Sequence, residues 1–581
     1  MWLALGSACA CACCGAGAVE TAVSGRVTFG SVWRLEAADP DLLTSLNAPL
    51  VGLRGVASGN NADDANLNFR RHDATSTALK AYLEVSAKEG GFSALVRIKA
   101  WRDGALEDGD RAWGNAPNGY VGGVPLSDAG AARLSAFSGV ALLDAWVQQT
   151  FMAGATPVTA RLGQQTLAWG ERSGVGGGLD ALNARDLPAL HRAGATFQET
   201  RVPAPMLSAR AALTPGVAIE GFIAGRVRPT ALDECGTFWA ISDYLADGCN
   251  LVMSGLPVLN DRARVRTGAL LKRLPTPDPG GHDAGVAILW RVLNTDLGLY
   301  QARYTWRTPM PGLRRSTRAG LPVIPGDPDG KNMAFFTEYP ENIALTALTA
   351  VHNAGATTLF GEVSYRPRAP FMLSPGDVLP PFLSPTAPAL LRAAANAVGP
   401  GGIFHGYDVH PVAQAQVGVQ QDGKVAGTAV SGTAEIVIKH AIGLPDPAVR
   451  RYGRADLFGV GPVLGVCTVT TATPVQQCTQ AGYATSDAFG YRLRLDVRWP
   501  AIAPTLAPGL AASVNALFTH DVKGWSGDFL LNQGRKTLNL ALRFEYRQRY
   551  LAEFSWLPIW GGDYNPLHDR DTLALAVGVK F

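Results

Sequence analysis

The chain has 581 residues, with 66 Gly, 38 Pro, 17% charged residues and a formal net charge of +3. That charge gives no ground for a nucleic-acid partner, and the absence of any run of roughly 18 apolar residues excludes a membrane protein built on helices. Length alone allows two to four ordinary domains or one large barrel, and glycines spread along the whole chain suit many short strands joined by turns.

Residues 1–18 read as a secretory signal. Trp2 to Cys14 is apolar and rich in small residues, and Ala16-Gly17-Ala18 supplies an A-x-A-like cleavage site before Val19. The basic segment that normally opens such a signal is missing, so Met1 is a candidate for a misplaced start. Lipoprotein processing at Cys9 is the weaker alternative, because Gly6 stands where such sites carry Leu. Cleavage after Ala18 removes Cys9, Cys11, Cys13 and Cys14 and leaves two locally spaced pairs. In an oxidising compartment these predict disulfides Cys235 to Cys249 and Cys467 to Cys478, with a four-Cys metal site as the alternative.

Asp63, Asp64, Asn66 and Asn68 form an acidic and amide cluster. It lacks the Gly and terminal Glu of a calcium loop, and turn chemistry is the reading preferred. Period-2 alternation then begins and recurs to the end of the chain. Leu79, Ala81, Leu83 and Val85 oppose Lys80, Tyr82, Glu84 and Ser86. Asp128 to Phe137 is a candidate loop helix. Gly176-Gly177-Gly178 lacks the Lys and Ser or Thr of a phosphate loop and predicts a tight turn folded against a wall. Tyr300, Ala302, Tyr304 and Trp306 oppose Gln301, Arg303, Thr305 and Arg307. A Pro-rich insertion near 366–411 predicts a long surface loop with a short helix over Pro385 to Val398, a plug being the alternative. Leu493, Leu495, Val497 and Trp499 oppose Arg492, Arg494, Asp496 and Arg498. Leu538, Leu540, Leu542, Phe544 and Tyr546 oppose Asn539, Ala541, Arg543, Glu545 and Arg547. In the closing strand, Leu573, Leu575, Val577, Val579 and Phe581 oppose Ala574, Ala576, Gly578 and Lys580.

Such strands fit a soluble sandwich or a barrel with one face to lipid. The signal segment, the terminal aromatic and aromatics placed near strand ends (Trp306, Trp499, Tyr546, Tyr550, Trp556) together favour the barrel. The expected fold is all-β: a single transmembrane antiparallel β-barrel of the outer-membrane type over residues 19–581. About 14 to 18 strands are expected, with long extracellular loops and one or two short loop helices. Phe581, ending such a strand, resembles the signal by which Gram-negative barrel-assembly machinery recognises its clients.

Taken in order, many segments resemble one Gram-negative outer-membrane family, domain of unknown function 1302. They include Arg26-Val27-Thr28-Phe29-Gly30, Asp63-Asp64-Ala65-Asn66-Leu67-Asn68-Phe69, Arg161-Leu162-Gly163-Gln164-Gln165, Trp169-Gly170-Glu171 and Gly177-Gly178-Leu179-Asp180-Ala181-Leu182-Asn183. Pro203-Ala204-Pro205-Met206-Leu207, Cys235-Gly236-Thr237-Phe238, His520-Asp521-Val522-Lys523-Gly524 and Gly561-Gly562-Asp563-Tyr564-Asn565 continue the series. The resemblance implies an outer-membrane barrel linked to the handling of steroids, alkanes or fatty acids, often beside envelope pumps. It implies no catalytic residues.

With apolar faces toward lipid, Arg303, Arg307, Arg492, Arg494, Asp496, Arg498, Arg543, Glu545 and Arg547 are the candidate lumen-lining residues, with Glu84 as a further counter-charge. Such a wall holds water. It either selects amphiphiles with an anionic head or, the stronger reading, is a ladder of self-satisfying charges. The expected function is a channel or transporter for hydrophobic or amphipathic organic compounds. The alternatives are a docking barrel for a periplasmic or envelope-pump partner and a barrel hydrolase. The chain lacks G-x-S-x-G and H-E-x-x-H motifs, and His520, Asp521 and Ser526 are triad residue types without assignable roles. No catalytic, cofactor or metal residue is therefore assigned, and the expected partners are outer-membrane lipid, the assembly machinery and a hydrophobic solute.

Overall fold

The computed structural model describes residues 19–115, 120–170, 174–253, 259–386, 388–467 and 475–581, and the expected signal segment lies outside them. Eighteen antiparallel strands follow one another around a ring. They are β1 (Glu20–Arg34), β2 (Ala74–Glu89), β3 (Phe92–Asp103), β4 (Ser138–Ala153), β5 (Thr156–Gln165), β6 (Ala204–Thr214), β7 (Val217–Ala224), β8 (Asp283–Val292) and β9 (Thr295–Tyr304). The ring continues through β10 (Ile343–Ala354), β11 (Thr357–Met372), β12 (Tyr407–Val425), β13 (Thr428–Ala441), β14 (Asp487–Trp499), β15 (Leu510–Lys523), β16 (Lys536–Tyr546), β17 (Tyr550–Leu557) and β18 (Thr572–Lys580). It closes where β1 meets β18, Arg26 standing opposite Lys580 and Arg34 opposite Thr572. Closure removes every sheet edge, which is what a strand-built wall needs in a medium that cannot hydrogen-bond to it.

Both strand-bearing ends of the chain and eight short connections lie at one end of the barrel. The turn after β12 shows why they are short. Ala426 and Gly427 have φ of 49° and 80°, the doubly positive geometry that matches a two-residue hairpin to strand twist. The nine long connections lie at the other end: L1 (35–73), L2 (104–137), L3 (166–203), L4 (225–282), L5 (305–342), L6 (373–406), L7 (442–486), L8 (524–535) and L9 (558–571). Short turns at one end and long loops at the other are the periplasmic and extracellular ends of an outer-membrane barrel. Among the described residues no helix is long and apolar enough to cross a membrane.

The outer face is apolar. Leu575, Val577 and Val579 of β18 stand exposed on it while Ala574 and Ala576 are buried inside, and Leu493 and Leu495 of β14 are likewise outside. In β9 the faces are reversed from the sequence reading. Leu299 is exposed on the outside, whereas Ala302, Tyr304 and Trp306 are buried within the barrel. Arg303 is therefore on the outer face, paired with Ala344 near the extracellular rim. The cause is that β9 carries apolar residues on both faces and L3 covers the inner one. Trp306 accordingly packs with Tyr304 rather than joining an aromatic girdle. Trp499, Tyr546, Tyr550 and Trp556 stay on the apolar outer parity near strand ends.

L4 to L7 fold over the extracellular mouth with a core of their own around Leu271, Leu313, Phe335 and Leu373. Disulfides Cys235–Cys249 and Cys467–Cys478 close short segments of L4 and L7, with Cα atoms 5.6 and 5.4 Å apart. The expected loop helices are shorter than predicted. Pro388 permits a helix only from Arg392 to Ala397, and Gly130, at φ 86°, interrupts Asp128 to Phe137, which forms turns.

Candidate functional site

L3 enters the barrel. Its Trp169 ring meets Phe222 and Tyr300 at centroid distances of 5.2 and 5.1 Å, and the ring Nε1 donates to Glu220 of β7 at 2.9 Å. Gly174 N then donates to Glu435 of β13 at 2.9 Å, and Leu179 N to Glu362 of β11 at 2.8 Å. Gly177 and Gly178 make this approach possible: both have positive φ, and a Cβ on Gly178 would collide with the Glu362 carboxylate. The predicted glycine turn against the wall is this contact. Farther along, Asp186 pairs with Lys99 of β3, and Glu199 pairs with Arg26 of β1 and, at 3.7 Å, with Lys80 of β2. Because β2 and β11 are nine strands apart in a ring of 18, L3 spans the lumen from one wall to the opposite one. Asp180 ties its two arms together, accepting from Arg185 and, at 2.8 Å, from Arg201.

On the wall from β14 to β18, L3 packs only at the margins, Val175 on Ala488 of β14 and Ala193 on Ala574 and Ala576 of β18, and the charged residues between are open. Arg492 pairs with Asp521 at 2.9 Å and Arg494 with Asp496 at 2.7 Å, while Arg543 pairs with Glu553 and Lys580 with Glu545 at 2.6 Å. Arg498 lies on the same parity and, among the described residues, forms no ion pair. Five cations therefore face four carboxylates, which is a nearly neutral ladder and not a strong anion filter. Of the predicted lumen residues, Arg492, Arg494, Asp496, Arg498, Arg543 and Glu545 share this face. Glu84 faces the lumen on β2, paired with Arg97. Arg307 belongs to L5, where it pairs with Asp283 and donates to Leu182 O of L3 at 2.6 Å. Arg547 sits in the periplasmic turn at φ 50°, over the Tyr546 ring, and not along the wall. Next to this wall, on the neighbouring strand, Asp528 of L8 reaches Lys439 of β13. Burial pushes its carboxyl up, but Lys439 and Arg366 outweigh that and hold it at about 2.

The sequence reading missed the cap. L1, L4, L5, L6 and L7 converge around a cavity of about 340 Å³. Tyr244, Val252, Phe335, Leu373, Val378 and Val460 give it an apolar lining, and Asn61, Asp456 and Gln477 supply polar groups. Burial and the nearby Asp63 push Asp456 up to about 6. Beside the cavity, Asp63 to Asn68 is not a solvated turn. Residues 64–68 form a short helix buried throughout, and Asp63 accepts from Thr44 N at 3.0 Å and Thr44 Oγ1 at 2.9 Å. Burial first and then mutual repulsion push Asp64 and Asp243 well up and Asp261 up to about 8.

The triad residue types do not converge. His520 pairs with Tyr491 on the outer parity of β14 and β15, Asp521 points inward to Arg492 and Arg535, and Ser526 Oγ donates to Asp528 at 2.7 Å. Phe581, 64% exposed, is tied to Gly25 by two backbone hydrogen bonds of 2.9 and 3.0 Å.

A closed wall with an apolar outside and a polar, charge-paired inside, crossed by one inward loop, defines an outer-membrane β-barrel of channel architecture. Over residues 1–581 the sequence matches the family described as protein of unknown function (DUF1302), and the chain belongs to that family. Glu171, part of the resemblance noted from sequence, lies outside the described residues. No curated protein matches the chain. Among solved structures it is similar to Pseudomonas aeruginosa OccK9 (OpdG), at 10% identity, 97% and 98% coverage of this chain and that one, and a TM-score of 0.39. It is also similar to Acinetobacter baumannii OccAB1, at 8% identity, 97% and 96% coverage and a TM-score of 0.41. P. aeruginosa OpdK with vanillate is similar at 10% identity, 96% and 98% coverage and a TM-score of 0.37. At these TM-scores the similarities add nothing to the fold described above.

Proposed function

We propose that this barrel captures hydrophobic or amphipathic organic molecules in the cap cavity and passes them beside L3 into the polar lumen. The observation that carries the reading is the cavity itself: about 340 Å³, apolar over most of its lining, and assembled from five extracellular loops. Its volume lies in the range of small-molecule pockets, and its few polar groups suit a compound with one hydroxyl, carbonyl or carboxyl group on an apolar body. Steroids and fatty acids have that form. The nearly neutral ladder on β14 to β18 favours water and charge balance below the capture site over selection of anions. The exposed Phe581, which follows β18, is the feature we assign to recognition by the assembly machinery.

The test is binding of a fluorescent steroid or fatty acid to the folded protein, paired with its uptake into liposomes carrying the barrel. Saturable binding that Val378→Arg weakens at least tenfold, with uptake lost in parallel, is expected. Wild-type protein that neither binds nor transports such probes, while passing small hydrophilic solutes freely, would replace this reading with that of a general porin.

A further inference from the structure

We propose that Asp63 and Asp64 of L1 and Asp243 of L4 form a divalent-cation site, suited to calcium, that fastens the two loops together inside the extracellular cap. One ligand oxygen from each of the three carboxylates lies within 4.8 Å of the others, and all three residues are buried. Those distances suit oxygens arranged around one ion, since ligands at 2.3–2.6 Å from calcium stand up to about 5 Å from one another.

The polar atoms left over at this place point to a ligand independently of the charge. Among the described residues, Asp64 Oδ1 and Asp243 Oδ1 have no hydrogen-bond donor. Asn66 is 2% exposed, and among the described residues neither its amide oxygen nor its amide nitrogen has a partner. It lies three residues after Asp63 on the helix 64–68, and residues so spaced are neighbours on one helix face. Buried polar groups are nearly always satisfied, so unpartnered oxygens on Asp64 and Asp243, two of the three clustered carboxylates, and on Asn66 of the same short helix call for something that binds oxygen.

The surroundings place the remaining charges. Asn47 Nδ2 bridges Asp63, at 3.2 Å, to Asp261, and Asp261 also accepts from Asn60 at 2.7 Å. Asp64 Oδ2 accepts from the Tyr120 hydroxyl at 2.8 Å. These bonds hold the carboxylates in position and leave the orphan oxygens for the ion. Arg264 lies on the Asp261 side, and Arg570 stacks on Phe238 beside Asp569. Carboxylate and amide oxygens are hard ligands, which excludes a thiolate-type zinc site. Calcium accepts an irregular set of protein oxygens, whereas magnesium demands a near-ideal octahedron and keeps several waters, which a buried site does not favour. The ion would also brace the cavity wall, since Tyr244 follows Asp243 and Asn61 precedes Asp63 by two residues. The site stands whatever the cavity binds.

The experiment uses the full folded barrel in detergent, stripped with EDTA and then titrated with CaCl2, with MgCl2 in parallel. Terbium luminescence, sensitised through Tyr120, reports the site directly. One saturable calcium site with submillimolar Kd is expected, together with a rise in unfolding temperature on adding calcium. Asp64→Asn and Asp243→Asn should each weaken binding about a hundredfold. Asn66→Ala, which changes no charge and serves if the carboxylate variants fail to fold, should weaken it about tenfold. Wild-type protein with no saturable calcium or terbium signal would overturn the proposal, as would wild-type affinity in all three variants. Equal affinity for magnesium would overturn the assignment to calcium.

Discussion

The wall from β14 to β18 and the wall from β6 to β10 are built of strands alike in length and apolar content, yet their inner faces differ in kind. Inside β14 to β18, Arg494 and Arg543 keep about half their side-chain surface open to the lumen and pair with carboxylates on the same or adjacent strands. Inside β6 to β10, Phe222, Ala287, Ala302, Tyr304 and Leu345 are buried beneath Leu167, Trp169, Leu179 and Leu182 of L3. A lumenal residue is charged where it meets water or answers a polar group of L3, as Lys99, Glu362 and Glu435 do, and apolar where L3 packs its apolar side chains on the wall. Alternation therefore reports which face meets lipid only on the uncovered wall.

The difference can be broken most strongly at Trp169. Trp169→Ala removes the largest ring of the L3 contact and takes a donor from Glu220, and a cost of about 3–5 kcal/mol is expected from the lost burial and the cavity left behind. Denaturant unfolding would give the cost, and single-channel recording should show higher, noisier conductance as L3 loosens. The reversed faces of β9 make the next test. Leu299→Arg puts a cation into lipid near the middle of a ten-residue strand and should cost about 2–4 kcal/mol. Arg303→Leu, on the same outer face at the rim, should be close to neutral. The opposite order would restore the sequence reading of that strand.

That reading succeeded where one side of a strand was wet. The outer faces of β2, β14, β16 and β18 were legible from Leu79, Leu493, Leu538 and Leu575, because lipid and water impose opposite chemistry on alternate residues. Both cysteine pairs were legible from spacing and compartment. In β9 the aromatic residues Tyr300 and Tyr304 made the covered inner face look like the lipid face. Arg547 continued a strand pattern into a turn whose positive φ alternation does not reveal. The cap cavity and the Asp63 cluster were beyond reach for another reason: their walls come from segments near residues 60, 244, 313, 375 and 460, which carry no common period.

On the open wall, effects should be small. Arg494→Ala removes one partner of a solvent-exposed pair, and a stability change within about 0.5 kcal/mol is expected from denaturant unfolding. Any larger loss would mean that this wall, too, is covered. Smaller still is the latch between His568 of L9 and Asp39 of L1, 2.9 Å apart. Burial lowers the His568 pKa, but bonds to Asp39 and Asn565 O outweigh it and raise the value, while the bond from His568 holds Asp39 down. The raised His568 contributes below its unfolded pKa near 6.5 and loses that contribution as pH rises through the folded value. The lowered Asp39 contributes above about 3.8 and loses it as pH falls. The latch is therefore strongest between about pH 4 and 6.5 and, after screening, worth no more than about 0.5 kcal/mol. His568→Gln should flatten the pH dependence of unfolding across that window.

Whether L3 crosses the lumen to one particular wall is open to a direct measurement. Gly174→Cys and Glu435→Cys place thiols where Gly174 N and the Glu435 carboxylate now meet at 2.9 Å, while Gly174→Cys with Arg494→Cys pairs the same loop position with the uncovered wall. Treated with a short bis-maleimide in the folded barrel, the first pair should cross-link rapidly and the second should not. Equal cross-linking of both pairs, or of neither, would contradict a loop anchored across the barrel on β11 to β13.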